Sequence, residues 1–330
     1  MRAAWYTKYG AAKDVFEIGT LPDPEPSAGE VLVRIVCSGV NPSDWKSRTG
    51  SRGPEMPFPF IVPHSDGSGV IEQVGIGVDV SRIGQRVWLY EGQWQRQFGT
   101  AAELIAIPAK QAVPLASDAS FQEGSCIGIP AMTAHRCLFA SGPVKDMTVL
   151  VTGGAGAVGH YGIQLAKWGG ARRVISTVSS DLKASLAIQS GADDVINYRK
   201  DNVAEAVLEI TSGKGVDRVV EVDFGGNLSS TQNMIALNGA VGSYASTGNR
   251  EPSVDYQAFS RKNVTVHFVL VYSEPEYAKI KAIEDITKAM DEDALVHRIA
   301  KTFNLDEIIS SHQLQESNDA IGNIIINIDE

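Results

Sequence analysis

A glycine-rich segment in the middle of the chain has the residue spacing of a dinucleotide-binding turn. Gly154, Gly156 and Gly159 follow the apolar run 148–151 and precede a helical pattern. Such a turn needs one glycine where the strand turns sharply, a second where the backbone meets a pyrophosphate, and a third where the helix packs on the strand. The helix N-terminus then faces the phosphates. Because a strand and a helix flank the glycines, the segment predicts a dinucleotide site rather than a purely structural turn.

The strand after the glycines indicates which dinucleotide binds. An NAD site places an acidic side chain about 20 residues beyond the glycines, where it binds the ribose 2′-hydroxyl. That count ends at Ser179. Small hydroxyls followed by Lys183 can accept a 2′-phosphate, which a carboxylate would repel, so the sequence favours NADPH. Asp181 leaves an alternative open, since a shifted register would make it the ribose ligand; the favoured interpretation is that Asp181 is the N-cap of the next helix.

The elements that must position these residues change in type along the chain. Short segments separated by Pro- and Gly-rich turns fill the first third and predict a compact β-barrel-like domain. A helix is expected over 121–141, and strands then alternate with helices as far as about residue 272, which is typical of a doubly wound parallel sheet. Its six strands, as many as a dinucleotide-binding fold has, are expected at 148–151, 173–178, 195–197, 216–222, 240–244 and 264–271.

The segments after the parallel sheet return to strands. A charged helix is expected over 275–290 and a last strand over 323–328. The parallel sheet is therefore predicted to be inserted between two segments of the other domain.

Composition narrows the class of protein. A length of 330 residues fits two domains, and the formal charge of −10 opposes binding to nucleic acid. Three scattered cysteines form no CxxC pair, so we expect no disulfide framework and a reducing, cytoplasmic compartment. The most apolar run, 264–272, is about half of the ~20 residues that a membrane-spanning helix needs. No targeting segment is recognised at Met1.

Four further motifs carry a resemblance to a known family. They are residues 39–44 (GVNPSD), 63–75 (PHSDGSGVIEQVG), 127–138 (IGIPAMTAHRCL) and 191–193 (GAD) ahead of Tyr198. With the glycine turn, they make the chain similar to the medium-chain dehydrogenase/reductase superfamily, and within it to the zinc-free NADPH-dependent quinone oxidoreductases that include zeta-crystallin. The resemblance covers essentially the whole chain.

The resemblance implies an architecture. It implies an α/β protein in which a Rossmann doubly wound parallel sheet is inserted into a GroES-like β-barrel catalytic domain. Residues 1–124 and 273–330 would form the catalytic domain and 125–272 the NADPH-binding domain, with NADPH in the cleft between them. It also implies a homodimer joined through the sixth strand, whose apolar edge would otherwise invite aggregation.

The same resemblance implies chemistry without a metal. Zinc alcohol dehydrogenases of the superfamily place a Cys and a His-Glu pair where this chain has Asn41, Ser65 and Asp66. Amide and hydroxyl groups are poor zinc ligands. His64 is one position away, and we interpret it as structural or pocket-lining because the sequence shows no second histidine or cysteine nearby. Without a Lewis acid the acceptor must already be electron-poor, as quinones and α,β-unsaturated carbonyl compounds are.

Residue roles follow from the resemblance by position. Asn41 and Thr133, expected beside the nicotinamide, are the catalytic candidates, although Asn41 before Pro42 is also a good turn residue. Many quinone oxidoreductases have a Tyr two residues after the acid of the 39–44 motif, where this chain has Lys46. The cofactor-binding candidates are Asn41 and Thr133, Gly154, Gly156, Ala157, Val158 and Gly159 at the pyrophosphate, Ser179, Lys183 and Tyr198 at the 2′-phosphate and ribose, and Asp223, Tyr244, Ser246 and Leu270, the last expected in the sixth strand, near the nicotinamide.

The sequence is compatible with several functions. The leading one is NADPH-dependent reduction of a small-molecule quinone or other electron-poor acceptor, and its closest rival is an enone or enoyl reductase of the same superfamily. A zeta-crystallin-like, non-catalytic protein that binds NADPH and RNA is a second alternative, which the negative charge opposes. A metal-dependent alcohol dehydrogenase is the third.

Overall fold

The computed structural model describes residues 1–51 and 53–328, which form two compact units. One unit comprises Met1–Ile129 and the segment that starts at His297, and the other comprises Pro130–Val296. We call them the barrel unit and the sheet unit. Within the described residues, no helix is both long and apolar enough to cross a membrane.

The first part of the barrel unit consists mainly of short strands. They are β1 (Arg2–Tyr6), β2 (Phe16–Thr20), β3 (Glu30–Val40), β4 (Asp66–Val74), β5 (Arg86–Leu89), β6 (Leu104–Pro108) and β7 (Ala112–Pro114). Three short helices lie among them, α1 (Ala12–Val15), α2 (Pro42–Arg48) and α3 (Phe121–Gly124). The sequence did not predict α2, which begins at the Asn41-Pro42 step because proline is well suited to the first turn of a helix.

The sheet unit alternates strands and helices. Its strands are β8 (Thr148–Val151), β9 (Arg173–Val178), β10 (Asp194–Asn197), β11 (Val216–Glu221), β12 (Ile235–Ser243) and β13 (Thr265–Phe268). Its helices are α4 (Gly128–Phe139, whose first two residues belong to the barrel unit), α5 (Ala157–Trp168), α6 (Asp181–Gln189), α7 (Val203–Ile210), α8 (Phe224–Met234), α9 (Tyr256–Ser260) and α10 (Glu276–Asp291).

The six strands of the sheet unit form one parallel sheet in the order β10-β9-β8-β11-β12-β13. This is the order of a dinucleotide-binding fold, so the predicted doubly wound sheet is confirmed. All four residues of β8 are buried, as expected for a central parallel strand that is covered on both faces. Its C-terminal end and that of β11 face the same edge of the sheet.

Two sequence predictions in this region were wrong. The single helix expected over 121–141 is two helices, α3 and α4, and Pro130 falls in the first turn of α4, where a missing N–H is tolerated. The sixth strand ends at Phe268 rather than at 271. Leu270 therefore lies outside the strand, ahead of a 3-10 turn, and half of its side chain is exposed.

The C-terminal segment returns to the barrel unit and completes its main sheet. It forms β14 (Ile299–Asn304), α11 (Ile308–Ser317) and β15 (Asn323–Asn327). β15 pairs antiparallel with β3, and the seven-stranded sheet has the order β14-β15-β3-β4-β5-β7, with β6 also paired to β3. Buried residues from both ends of the chain, among them Val33 and Ile326, pack in one core.

The unit boundaries differ from those expected from the sequence. The structure divides the chain after Ile129 and after Val296, whereas the sequence placed the divisions after 124 and 272. Helix α10 accounts for most of the difference, because Asp285 on α10 accepts a hydrogen bond from His135 on α4 at 2.9 Å. This contact keeps α10 with the sheet unit.

Candidate active site

The turn between β8 and α5 is shaped by glycines that larger residues could not replace. Gly153 has φ +67°, so the sharp turn falls one residue before the three glycines singled out in the sequence. A Cβ on Gly154 would lie 1.9 Å from Ser176 Oγ, and one on Gly159 would lie 2.3 Å from Gly153 O. Both positions therefore require glycine for packing.

Gly156 differs from Gly154 and Gly159 because a Cβ there would meet only one neighbouring atom. Its φ is −74°, and a Cβ would have Gly153 O as its nearest neighbour at 3.3 Å. It is the N-cap residue of α5 and has no side chain to cap the helix. The free N–H groups of the first turn, including those of Ala157 and Val158, point out of the helix end and suit an anion. The turn thus fits a pyrophosphate.

Ser179, Lys183 and Tyr198 come from adjacent parts of the same sheet edge. Ser179 directly follows β9, and Tyr198 directly follows β10, its N–H donating to Val178 O at 3.1 Å. Lys183 lies in the first turn of α6 and is half-buried, whereas Tyr198 is exposed. The structure therefore brings these three candidates to one end of the sheet.

The N-cap prediction for Asp181 was wrong. The N-cap of α6 is Ser180, whose Oγ accepts a hydrogen bond from Lys183 N at 3.3 Å. Asp181 is the first residue of the helix, and its carboxylate pairs with Lys200 Nζ at 3.1 Å. Sequence reasoning missed Lys200, since it follows β10 and is 19 positions away from Asp181.

Asp223, Tyr244 and Ser246 lie beyond the ends of β11 and β12. Asp223 is the N-cap of α8, and its carboxylate accepts hydrogen bonds from the N–H groups of Thr247 at 2.8 Å and Gly248 at 3.0 Å. Ser246 Oγ accepts from Gly225 N at 3.0 Å. Asp223 and Ser246 therefore hold the loop after β12, and burial raises the pKa of the Tyr244 phenol.

Glu221, which the sequence did not single out, ends β11 with a fully buried carboxyl group. Its Oε1 accepts hydrogen bonds from Asp223 N at 2.7 Å, Asn227 Nδ2 at 2.7 Å and Thr152 Oγ1 at 3.0 Å. Its Oε2 is buried without a partner in the described structure. Burial raises the pKa of Glu221, and the hydrogen bonds lower it in part.

In the barrel unit, the side chain of Asn41 is held by a buried carboxylate. Asn41 is the N-cap of α2, and its Nδ2 donates to Asp66 Oδ2 at 2.7 Å. Asp66 also accepts from Ile129 N at 2.9 Å and 3.0 Å, and a Cβ on Gly128 would lie 2.1 Å from its Oδ1. Burial raises the pKa of Asp66 well above its usual range, and the hydrogen bonds from Asn41 and Ile129 oppose the shift.

Thr133, the other catalytic candidate, is buried near the middle of α4 in the sheet unit. It therefore belongs to a different unit from Asn41.

Comparison with known proteins gives two family models and several relatives. The alcohol dehydrogenase GroES-like domain matches residues 27–117, and the zinc-binding dehydrogenase model matches residues 157–288. A quinone oxidoreductase from Rattus norvegicus is 32% identical over 244 residues, which cover 73% of this chain and 72% of the rat protein. The chain belongs to the quinone oxidoreductase family of medium-chain dehydrogenases/reductases.

Other members extend the comparison. A 2-methylene-furan-3-one reductase from Solanum lycopersicum is 32% identical over segments covering 73% of this chain and 63% of that protein. The solved structure of a mycobacterial protein complexed with NADPH has a TM-score of 0.87 and 27% identity, and the match covers 99% of this chain and 100% of the other. The family assignment and the insertion of a Rossmann sheet into a GroES-like domain are thus confirmed.

The donor set at Asn41 is unusual for a family whose matching model is named for zinc. Asn41, Ser65 and Asp66 offer one amide, one hydroxyl and one carboxylate, and the carboxylate is already engaged by two hydrogen-bond donors. Across residues 1–51 and 53–328, no three His, Cys, Asp or Glu side chains form a group able to hold a metal ion.

His64 has a second histidine beside it in the fold, although none is near it in the sequence. Its Nε2 lies 3.0 Å from His312 Nε2, and both rings are fully buried. The partner comes from α11, 248 positions along the chain. Proximity in sequence gave no indication of this pair.

Proposed function

We propose that the protein is an NADPH-dependent reductase that transfers a hydride to quinones or other electron-poor acceptors without a metal. The glycine turn between β8 and α5 carries the proposal, because Gly154 and Gly159 admit no side chain and Gly156 lacks a Cβ at the N-terminus of α5, where a pyrophosphate would bind. The rat relative named as a quinone oxidoreductase and the mycobacterial structure with NADPH support it.

The residues that would hold NADPH come from the edge of the parallel sheet. The N–H groups of Ala157 and Val158 would bind the pyrophosphate beside Gly156, and Ser179, Lys183 and Tyr198 would bind the 2′-phosphate and ribose. Further candidates near the nicotinamide are Asp223, Tyr244, Ser246 and Leu270. When bound, NADPH supplies the hydride, and the protein contributes binding and orientation.

On the acceptor side, Asn41 and Thr133 would orient the reacting groups. Because the Asp66 carboxylate accepts from Nδ2, the amide plane of Asn41 has one orientation. A fixed amide can donate its second hydrogen to a carbonyl or hydroxyl group without reorganising, which favours transfer from a preorganised geometry. No side chain need ionise for this role.

Reduction of an activated C=C bond is a second candidate. The tomato relative, which is named as a 2-methylene-furan-3-one reductase, favours it. The chemistry of the acceptor is the same, since an enone is also electron-poor at the carbon that receives the hydride.

Oxidation of NADPH with a panel of acceptors tests the proposal. The panel contains 1,4-benzoquinone, 9,10-phenanthrenequinone, an alkenal and a cyclic enone, and NADH replaces NADPH in a parallel series. We expect turnover with NADPH and at least one quinone. Turnover with the enone alone would favour the second candidate, and NADPH binding without oxidation by any acceptor would contradict both.

We further propose that the protein is a cytoplasmic homodimer that does not bind nucleic acid. Strand β13 forms an edge of the parallel sheet and ends at the exposed Phe268, which supports pairing with a second copy. The three buried, free cysteines support a reducing compartment. Unchanged mobility of an AU-rich RNA in excess protein would exclude the RNA-binding alternative.

A further inference from the structure

Two buried histidines belong to a chain of hydrogen bonds that ends at Asp66. His312 Nε2 lies 3.0 Å from His64 Nε2, and His64 Nδ1 lies 2.9 Å from Ser38 Oγ. Ser38 Oγ lies 2.7 Å from Thr100 Oγ1, which donates to Asp66 O at 2.5 Å. All four contributing side chains are fully buried, so the chain is closed to water.

The direction of every bond follows from counting protons, beginning at the Asp66 carbonyl. A carbonyl only accepts, so the single hydroxyl proton of Thr100 points to Asp66 O. Thr100 must then accept from Ser38, and Ser38, its proton used, must accept from His64 Nδ1–H. Each hydroxyl thus donates once and accepts once.

The proton count and the burial of both rings also fix which nitrogen of each ring carries a proton. Burial lowers the pKa of His64 to about 3, so its ring is neutral near pH 7 and its Nε2 is a bare lone pair. This lone pair accepts from His312 Nε2–H. Burial and the charge of Arg48 likewise lower the pKa of His312, so that ring is neutral and its Nδ1 is bare. His312 Nδ1 is indeed a buried atom without a partner in the described structure, and an orphaned lone pair is better tolerated than an orphaned N–H.

The backbone of His64 indicates that these hydrogen bonds hold a segment in a constrained conformation. His64 has φ +77°, which side-chain-bearing residues rarely adopt. Conformations of this kind persist where the surroundings over-determine them. Here the segment leads two residues later to Asp66, whose carboxylate holds Asn41.

We propose that His312 is a positioning residue for hydride transfer: it donates through His64, Ser38 and Thr100 to the backbone of Asp66, and so fixes the carboxylate that orients Asn41. The inference rests on the proposed function only through the role of Asn41. The chain of hydrogen bonds and the direction of each bond do not depend on the proposed function. Helix α11, far from Asn41 in sequence, would then contribute to the site without contacting the reactants.

The ring states can be measured without any activity. In protein labelled with 15N at its six histidines, long-range proton–nitrogen spectra distinguish bare from protonated ring nitrogens. We expect His312 to be protonated at Nε2 and bare at Nδ1, and His64 to be protonated at Nδ1 and bare at Nε2. Signals that are lost in the His312→Gln variant belong to His312, and those that are lost in a His64→Gln variant belong to His64. The opposite pattern, or an imidazolium at pH 7, would overturn the proposal.

Two variants of His312 separate positioning from stability. Gln keeps a donor near the position of Nε2, whereas Leu removes it. We expect His312→Leu to lower kcat for the acceptor about tenfold, as for the loss of one buried hydrogen bond, and His312→Gln to stay within about threefold of the wild type. The Kd for NADPH should change little in either, because the pyrophosphate turn lies in the other unit.

Ile105→Ala provides the control. Ile105 is fully buried in the core of the barrel unit and outside the hydrogen-bond chain, so this variant lowers the melting temperature without removing a donor. Equal loss of kcat in both His312 variants, or a His312→Leu variant that loses only thermal stability as Ile105→Ala does, would contradict positioning. If the wild type reduces no acceptor, the proposed function fails. The nitrogen spectra would still show whether the chain of hydrogen bonds runs from His312 to Asp66.

Discussion

The Asp181 carboxylate lies 3.1 Å from Lys200 Nζ at the end of the sheet where the cofactor ribose is expected. The pair offsets the charge of Asp181, which is two residues from both Ser179 and Lys183 in the sequence. A 2′-phosphate bound here would therefore meet hydroxyls and the Lys183 ammonium group rather than a free carboxylate. We therefore expect this arrangement to favour NADPH over NADH by electrostatics.

Removing Lys183 should reduce the preference for NADPH. We expect Lys183→Ala to weaken NADPH binding about 10- to 100-fold, the cost of one charge-assisted hydrogen bond, and to change NADH binding within about twofold. Lys200→Ala should act in the same direction by releasing the Asp181 carboxylate. Fluorescence titration with both cofactors measures these affinities.

Lys214→Ala is a matched control for both lysine variants, because Lys214 is exposed in the same unit and follows α7. It should leave both affinities unchanged. Equal affinities of the wild type for NADPH and NADH would show that the ammonium groups do not select the cofactor.

The glycines of the turn should differ in what their substitution costs. Gly156→Ala places a methyl group 3.3 Å from Gly153 O, a tight contact that a small shift relieves, so we expect only a modest loss of melting temperature and a loss of NADPH affinity of at least about tenfold. Gly154→Ala collides with Ser176 and should destabilise the fold itself. Calorimetry and fluorescence titration separate the two effects. Undiminished NADPH binding by a folded Gly156→Ala would place the pyrophosphate elsewhere.

Lys46 should favour acceptors that carry negative charge. It lies on α2, the helix that begins at Asn41, and its Nζ is 5.8 Å from the centre of the Trp45 ring, with no acidic partner in the described structure. We expect Lys46→Met to lower kcat/KM for a sulfonated naphthoquinone about fivefold, as for one half-exposed ion pair, and to leave kcat/KM for the neutral naphthoquinone within about twofold. A parallel loss with both quinones would remove Lys46 from acceptor recognition.

Local patterns in the sequence predicted the parallel sheet well because each of its elements is specified by residues that are close in the sequence. The apolar run of β8 and the glycines after it depend on neighbours within a few residues. Contacts between distant segments carried no such signal. His312 reaches His64 across 248 positions, and Asn41 meets Asp66 only because β4 begins beside the N-terminus of α2.

The N-cap error at Asp181 has a different physical cause. Ser180 and Asp181 are both good N-cap residues, so local chemistry permits either. The register was decided by the rest of the fold, in which Lys200 attracts the Asp181 carboxylate outward and Ser180 Oγ takes the cap position.

The buried Glu221 should make stability depend on pH. Because its folded-state pKa is raised above the unfolded value of about 4.3, its contribution to stability is fully present below pH ~4 and is lost as the pH rises through the folded-state pKa. Glu221→Gln keeps the accepting Oε1 and does not titrate. We therefore expect the variant to gain in melting temperature relative to the wild type as the pH rises from 4.

Melting temperatures from pH 4 to 9 test this, and each kcal/mol corresponds to about 2–4 °C for a unit of this size. Glu205→Gln is a suitable control, since Glu205 is exposed on α7 of the same unit. A constant difference between Glu221→Gln and the wild type across the whole range would mean that Glu221 does not titrate differently in the folded protein.

The exposed end of β13 should mark the interface of the proposed homodimer. Phe268 is 66% exposed and makes an edge-to-face contact with Phe224 at 5.2 Å between ring centres. Each edge strand has unpaired backbone groups, so two copies can join their β13 strands into one continuous sheet and bury Phe268.

We expect light scattering to give twice the 35.3 kDa mass of one chain, and Phe268→Asp to shift the protein towards the monomer. Tyr277→Asp, which alters a more exposed aromatic residue on α10, should leave the dimer intact. A wild-type protein that scatters as a monomer would show that this edge stays unpaired, and dissociation by Tyr277→Asp alone would move the interface to α10.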